Sequence, residues 1–143
     1  MLRASICCVI FVLPLVGCRI SEREGLVPLP ENGPPLSYFE LLNRARSQSG
    51  AALDAFYVDA WPDLELAAQR LEESAKLLPR STQVPEAFKT KLSVEADLLR
   101  QDATKLGEAA RAKNATQVNE AMQRINHRIR QMRPQEPTID EKK

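Results

Sequence analysis

The amino-acid sequence predicts an all-α protein, an antiparallel up-down-up-down four-helix bundle behind a signal peptide and a proline-rich tether. Apolar residues recur every three or four positions in four segments between residues 37 and 134, and no segment alternates with the period of a strand. Short connections join these segments, and sequential helices with short connections pack as antiparallel neighbours. The bundle is therefore expected to occupy residues 37–134.

The first 17 residues have the organisation of a secretory leader. Arg3 supplies a positive charge, and residues 6–16 form an apolar run that is too short to span a bilayer, which needs roughly 20 residues. The following sequence Leu15-Val16-Gly17-Cys18 resembles the lipobox of bacterial lipoproteins. This resemblance implies cleavage after residue 17, lipid attachment at Cys18 and anchoring to a membrane of the cell envelope. An ordinary signal peptide is the alternative.

Cleavage would leave a chain with little cysteine chemistry and balanced charge. Two of the three cysteines, Cys7 and Cys8, would leave with the leader, and Cys18 would carry lipid. The mature chain would then have no free thiol with which to form a disulfide, a cysteine metal site or a covalent haem attachment. Loss of Arg3 from the 20 basic side chains leaves 19, which equals the number of acidic ones, so no overall charge attracts nucleic acid.

Two segments flank the predicted bundle. Residues 18–36 contain the lipidated cysteine and a stretch rich in proline without an apolar period, which indicates a tether. Residues 135–143 are polar and form the predicted tail. Neither segment is expected to contribute to the core.

The first helix is predicted to run from Ser37 to about Val58. Ser37 and Glu40 match a capping box, in which the two residues exchange hydrogen bonds between side chain and backbone. Residues 47–50 are poor helix formers and favour a kink there. Phe56, Tyr57 and Trp61 are predicted to place most of the aromatic weight at one end of the bundle. These rings predict either a core plug or a face for a partner or a second copy.

Prolines and caps delimit the other three helices, at residues 61–78, 85–110 and 114–133. Each helix has an apolar stripe on one face, and the stripe of the third has the heptad spacing of a bundle seam. The predicted core of these helices comprises Leu64, Ala67, Ala68, Leu71, Ala75, Leu78, Phe88, Leu92, Ala96, Leu99, Ala103, Leu106, Ala110, Val118, Ala121, Met122, Ile125, Ile129 and Met132.

The helix at residues 61–78, the long third helix and the final segment from Ala112-Lys113-Asn114 to Arg133-Pro134 resemble class II cytochromes c, the cytochrome c-prime type. The resemblance covers roughly residues 37–134. In that family the last helix carries Cys-x-x-Cys-His, which binds haem covalently. This chain has Ile-Arg-Gln-Met-Arg at residues 129–133 instead. The resemblance therefore implies the fold without the haem attachment.

Non-covalent haem is the alternative, because related b-type four-helix cytochromes hold haem between a methionine of the first helix and a histidine of the last. The first helix of this chain has no methionine. His127, the only histidine, lies about 200° around the helix from the apolar stripe, which predicts a solvent position. Met122 and Met132 are predicted in the core. We therefore expect no haem; a haem-binding electron-transfer or gas-binding bundle would use one of these three residues.

The sequence contains no constellation that predicts an enzyme. A nucleophile paired with a base, Glu-x-x-His pairs and a glycine-rich phosphate loop are all missing. Arg124, His127 and Arg128, followed by Arg130 and Arg133, make the fourth helix basic. They predict a patch for an acidic partner or anionic lipid headgroups, or else compensation of the helix dipole.

The predicted function is a non-enzymatic binding or structural role in the envelope, with the bundle in the periplasm or outside the cell. The partners expected are the membrane, through Cys18, and an envelope protein. Neither a nucleic acid nor a small-molecule substrate is predicted.

Overall fold

The computed structural model describes residues 27–28 and 33–134 and confirms the all-α class. Five α-helices and one 3₁₀ turn pack together in this part of the chain, which has no strand. The predicted leader at residues 1–17, Cys18, most of the tether and the tail at residues 135–143 lie outside the described residues. The elements are α1 (Tyr38–Tyr57), α2 (Trp61–Leu77), the 3₁₀ turn (Leu78–Arg80), α3 (Glu86–Lys89), α4 (Leu92–Arg111) and α5 (Ala115–Gln131).

The four long helices contact one another in a ring. α2 packs against both α1 and α4, α4 also packs against α5, and a smaller contact between α5 and α1 completes the ring. The 3₁₀ turn contacts α1, α2 and α4 at one end. The contact between α1 and α5 is the least extensive of the four.

The start of α1 has the predicted capping box. Ser37 Oγ accepts a hydrogen bond from the backbone N–H of Glu40 at 3.3 Å, and the Glu40 carboxylate accepts from Ser37 Oγ at 2.7 Å and from Ser37 N–H at 2.8 Å. These two bonds to the carboxylate, that of the Ser37 side chain first, hold the pKa of Glu40 below its ordinary value. The cap therefore fixes where the ordered helix begins.

α1 continues through residues 47–50, where the sequence favours a kink. Gln48 and Ser49 are buried there, and Ser49 Oγ donates a hydrogen bond to Oδ1 of Asn126 on α5 at 2.8 Å. Contact with α5 thus supports a stretch whose intrinsic helix propensity is low.

The predicted third helix is in fact two helices, and its prediction as one continuous helix is wrong. α3 ends at Lys89 and α4 begins at Leu92, with a turn between them. The Phe88 ring in α3 stacks on the Tyr38 ring of α1, with centroids 5.7 Å apart. Leu92 opens the buried stripe of α4. The turn thus lies between the residue that packs on α1 and the first residue of the buried stripe of α4.

The core contains every residue predicted for it in the last three helical segments, and all of them are buried. Tyr38 adds a large side chain that is also completely buried, and its hydroxyl donates a hydrogen bond to the carbonyl oxygen of Met132. Burial raises the pKa of Tyr38 to about 12, because the charged phenolate is disfavoured away from water. This bond joins the start of α1 to the end of α5.

Candidate functional site

The arginines near the end of α5 lie in two different environments. Arg124 and Arg128 are partly buried and pair with acidic side chains of α4, whereas Arg130 and Arg133 are exposed and lie beside α1. His127 is exposed, as predicted, and is not part of either group. The structure therefore divides the basic residues that the sequence places on one helix.

Asp102 of α4 is the acidic centre of the first group. This residue is only 3% exposed, yet each of its carboxylate oxygens has a cationic donor. Oδ1 accepts a hydrogen bond from Nε of Arg124 at 2.9 Å, and Oδ2 accepts one from Nε of Arg128 at 2.6 Å. Oε2 of Glu95 lies 3.6 Å from Nη1 of Arg128, and Oε2 of Glu120 lies 3.9 Å from Nη1 of Arg124. These charge-assisted bonds offset the cost of burying the carboxylate and fasten α5 to α4.

The second group lines a cleft between α1 and α5, which we call the basic cleft. Its volume is about 350 Å³, and its lining is Arg46, Asn126, Ile129, Arg130 and Arg133. None of these lining residues is acidic, and none of the three arginines forms an ion pair with a described residue. Three uncompensated guanidinium groups around one concavity create a positive potential that attracts anions.

The three residues considered for a haem do not converge on one place. His127 is exposed on α5, while Met122 and Met132 are buried. Among the described residues there is also no group of three or more His, Cys, Asp or Glu side chains that could hold a metal ion.

The aromatic residues occupy both ends of the molecule, so the prediction that most of them gather at one end is wrong. Phe56 and Trp61 meet edge to face at 6.0 Å in the turn between α1 and α2, where both are half-buried. Next to them, Tyr57 is 75% exposed and Val58 is 73% exposed. A second cluster, Tyr38 with Phe39 and Phe88, lies at the other end of α1. The pair at the turn thus packs against the core, whereas Tyr57 and Val58 project into solvent.

Two residues important to this arrangement are missing from the predicted site. Asp102 follows Leu99 by three residues and precedes Leu106 by four, so its spacing alone places it in the apolar stripe of α4. A charge at a core position requires an opposite charge nearby, which is a signal that the sequence contains. Arg46 has no such signal, because its role depends on the contact between α1 and α5.

The helices of the described residues are all too short or too polar to cross a membrane. No protein family, curated protein or solved structure matches the chain.

Proposed function

We propose that this chain is a haem-free helical-bundle lipoprotein, anchored to an envelope membrane through Cys18, that has a non-enzymatic binding role. The observation that carries the binding role is the basic cleft, in which Arg46, Arg130 and Arg133 have no ion-pair partner among the described residues, while Arg124 and Arg128 pair with Asp102. An uncompensated cationic concavity on a small domain is suited to holding an anionic partner.

The proposed arrangement of the long helices is an antiparallel four-helix bundle. In three helix pairs the contacts move forward along one helix as they move backward along the other, which supports opposite directions. Between α1 and α5, Tyr38 contacts Met132 and Ser49 contacts Asn126. Between α2 and α4, Glu65 pairs with Arg111 and Ala68 lies beside Gly107. Between α4 and α5, Asp102 pairs with Arg124 and Glu95 pairs with Arg128.

The haem-free proposal is supported by the positions of the candidate ligands. The imidazole of His127 is on the solvent side of α5, and Met122 and Met132 are packed among apolar core residues. Axial ligation requires side chains that point into one shared pocket. A buried methionine without such a pocket fills space in the core.

The lipid anchor is supported by the lipobox-like sequence, and the chain between Cys18 and the folded domain is short. Val27, nine residues after Cys18, has its carbonyl oxygen in a hydrogen bond from a guanidinium nitrogen of Arg44 on α1. Nine extended residues span about 30 Å at most. The anchor proposed at Cys18 would therefore hold α1 close to the bilayer surface.

Intact mass measurement after export in a bacterial host tests this proposal. We expect the chain to begin at Cys18, to carry the mass of diacylglycerol and an additional acyl group, and to partition with detergent. The variant Cys18→Ser should lose the lipid, whereas Cys8→Ser should keep it, because residue 8 lies in the leader. Export with an unmodified Cys18 would contradict the anchor.

A further inference from the structure

We propose that the basic cleft of Arg46, Arg130 and Arg133 binds the phosphate of an anionic lipid headgroup in the membrane that anchors the chain. The choice of a lipid as ligand rests on the proposed anchor at Cys18. The cationic lining itself does not depend on that anchor, since it is formed by α1 and the end of α5.

The lining of the basic cleft matches the chemistry of a phosphate diester that carries one negative charge, as in an anionic lipid headgroup. Guanidinium groups are planar and present several N–H donors, which lets them hold phosphate oxygens in pairs. Arg46 approaches from α1, whereas Arg130 and Arg133 approach from α5 and the residues after it, so the charges face the cleft from two elements. A volume of about 350 Å³ accommodates a small headgroup.

Comparison with the other arginines of α5 explains why the ligand is assigned to this cleft. The side chain of Arg128 is 22% exposed and lies near both Asp102 and Glu95, so its charge is already balanced within the protein. Arg124 likewise has Asp102 and Glu120. The positive potential available to an external anion is therefore concentrated on the α1 side of α5.

The position of the tether makes a membrane ligand geometrically accessible. The hydrogen bond from Arg44 to Val27, a residue of the predicted tether, places Val27 beside the first half of α1. Arg46 lies two residues further along, about 200° around the helix, and the diameter of a helix with its side chains is about 10–12 Å. Since nine residues can span about 30 Å, the cleft and the anchor can reach the same bilayer surface.

A lipid is favoured over an acidic protein because the cationic region is a small concavity and not an extended face. Protein interfaces of ordinary size bury about 800 Å² on each partner. The three arginines instead surround a space suited to one headgroup, with Ile129 as the apolar part of the lining. Binding to an acidic protein is accordingly an outcome of the test that would overturn the proposal.

The proposal can be tested by native mass spectrometry of the exported protein in mild detergent, titrated with a short-chain phosphatidylglycerol. Separate titrations with phosphatidylcholine and with inorganic phosphate provide the comparison. We expect phosphatidylglycerol to bind at one equivalent and at least about tenfold more tightly than phosphatidylcholine. Inorganic phosphate should bind more weakly than phosphatidylglycerol. Equal affinity for both lipids, or tighter binding of free phosphate, would overturn the lipid assignment.

Two triple variants, each of which reverses three positive charges, test whether the lipid binds in the cleft. R46E/R130E/R133E should lose the preference for phosphatidylglycerol, whereas K76E/K105E/K113E, three exposed lysines outside the cleft, should retain it. Circular dichroism of both variants establishes that they remain helical. Retained preference in the cleft variant, or its loss in both variants, would overturn the site. Crosslinking of the wild-type cleft to an acidic envelope protein, without any preference between lipids, would do the same.

The same spectra separate this proposal from the proposed anchor. The mass of the unbound protein reports whether Cys18 carries acyl groups, and the titration reports whether the cleft selects an anionic lipid. An unacylated protein that still binds phosphatidylglycerol would contradict only the anchor. An acylated protein without lipid preference would contradict only the cleft.

Discussion

Asp102 shows at the scale of one residue how α5 is held to α4. A nearly buried carboxylate is costly unless its charge is paired and its oxygens accept hydrogen bonds. Arg124 and Arg128 each supply one of these bonds, and their side chains are 42% and 22% exposed. Because the arginines retain contact with water, the pairing avoids the full desolvation of three charges. Removal of the carboxylate charge would leave the two arginines facing each other.

We expect Asp102→Asn to destabilise the protein by about 2–3 kcal/mol, because the amide oxygen of asparagine can accept from only one of the two arginines and its NH₂ group faces the other at a buried position. The free energy of unfolding in urea measures this effect. Glu120→Gln is the matched control, since Glu120 is exposed and only 3.9 Å from Arg124, and should cost less than about 0.5 kcal/mol. Equal effects of the two substitutions would show that burial of Asp102 gives its ion pairs no special role.

Tyr38 predicts a loss of stability at alkaline pH. Burial raises its pKa to about 12, while a tyrosine in the unfolded chain titrates near 10. As the pH rises, the unfolded chain releases this proton first. The stabilisation by neutral Tyr38 is therefore complete below about pH 10 and is lost between about pH 10 and 12.

Tyr38→Phe should remove this pH dependence and also cost about 1–2 kcal/mol at pH 7, because the bond to the Met132 carbonyl is lost. Unfolding in urea at several pH values up to 11 checks both effects. Tyr57→Phe, at an exposed position, should keep the wild-type profile. A profile of Tyr38→Phe that is parallel to wild type would exclude Tyr38 as the titrating group.

At the scale of the elements, tertiary contact supports the centre of α1, where the intrinsic helix propensity is low. Its centre contains Ser47, Gln48, Ser49 and Gly50, and the Ser49 bond to Asn126 is made by tertiary packing. Gly50 is exposed, and a Cβ added there would meet nothing within 4 Å. The glycine therefore has a conformational cost in α1 without any packing purpose in the described structure.

We expect Gly50→Ala to stabilise the protein by about 0.5–1 kcal/mol, the usual difference between these residues inside a helix. Unfolding in urea should show a higher midpoint concentration, with an unchanged dependence of the unfolding free energy on urea concentration. Gly107→Leu is the contrasting variant, since its Cβ position is 3.7 Å from Cβ of Ala68, and a larger side chain there must separate α4 from α2. A destabilising Gly50→Ala would mean that this glycine has a role beyond helix geometry.

Periodicity was sufficient to predict the long helices and their buried faces, because burial of an apolar stripe is a local property of the sequence. It did not predict the break before Leu92, since the stacking of Phe88 on Tyr38 joins residues fifty positions apart. The basic cleft was hidden for the same reason, because Arg46 meets Arg130 only when α1 and α5 are neighbours. Asp102 differs, since its core spacing was visible and could have been used.

At the scale of the whole molecule, the small contact between α1 and α5 has a consequence for function. The ring of helices is closed strongly on the α2 and α4 sides and more weakly between α1 and α5. The basic cleft lies in this weaker seam, and Arg46 in its lining is two residues along α1 from Arg44, the residue that contacts Val27 of the predicted tether. Arg46 of the basic cleft and Arg44, which contacts Val27 of the predicted tether, therefore both lie on α1.

The packing of the whole bundle also predicts its response to haem. Hemin added to the exported protein should give no Soret band that saturates at one equivalent, because His127 is exposed and Met122 and Met132 are packed in the core. Absorption between 350 and 600 nm measures this directly. His127→Ala is the control, and it should leave any weak, unsaturated signal from surface adsorption almost unchanged. A saturating Soret band that disappears in His127→Ala would show that α5 rearranges to bind haem and would replace the haem-free proposal.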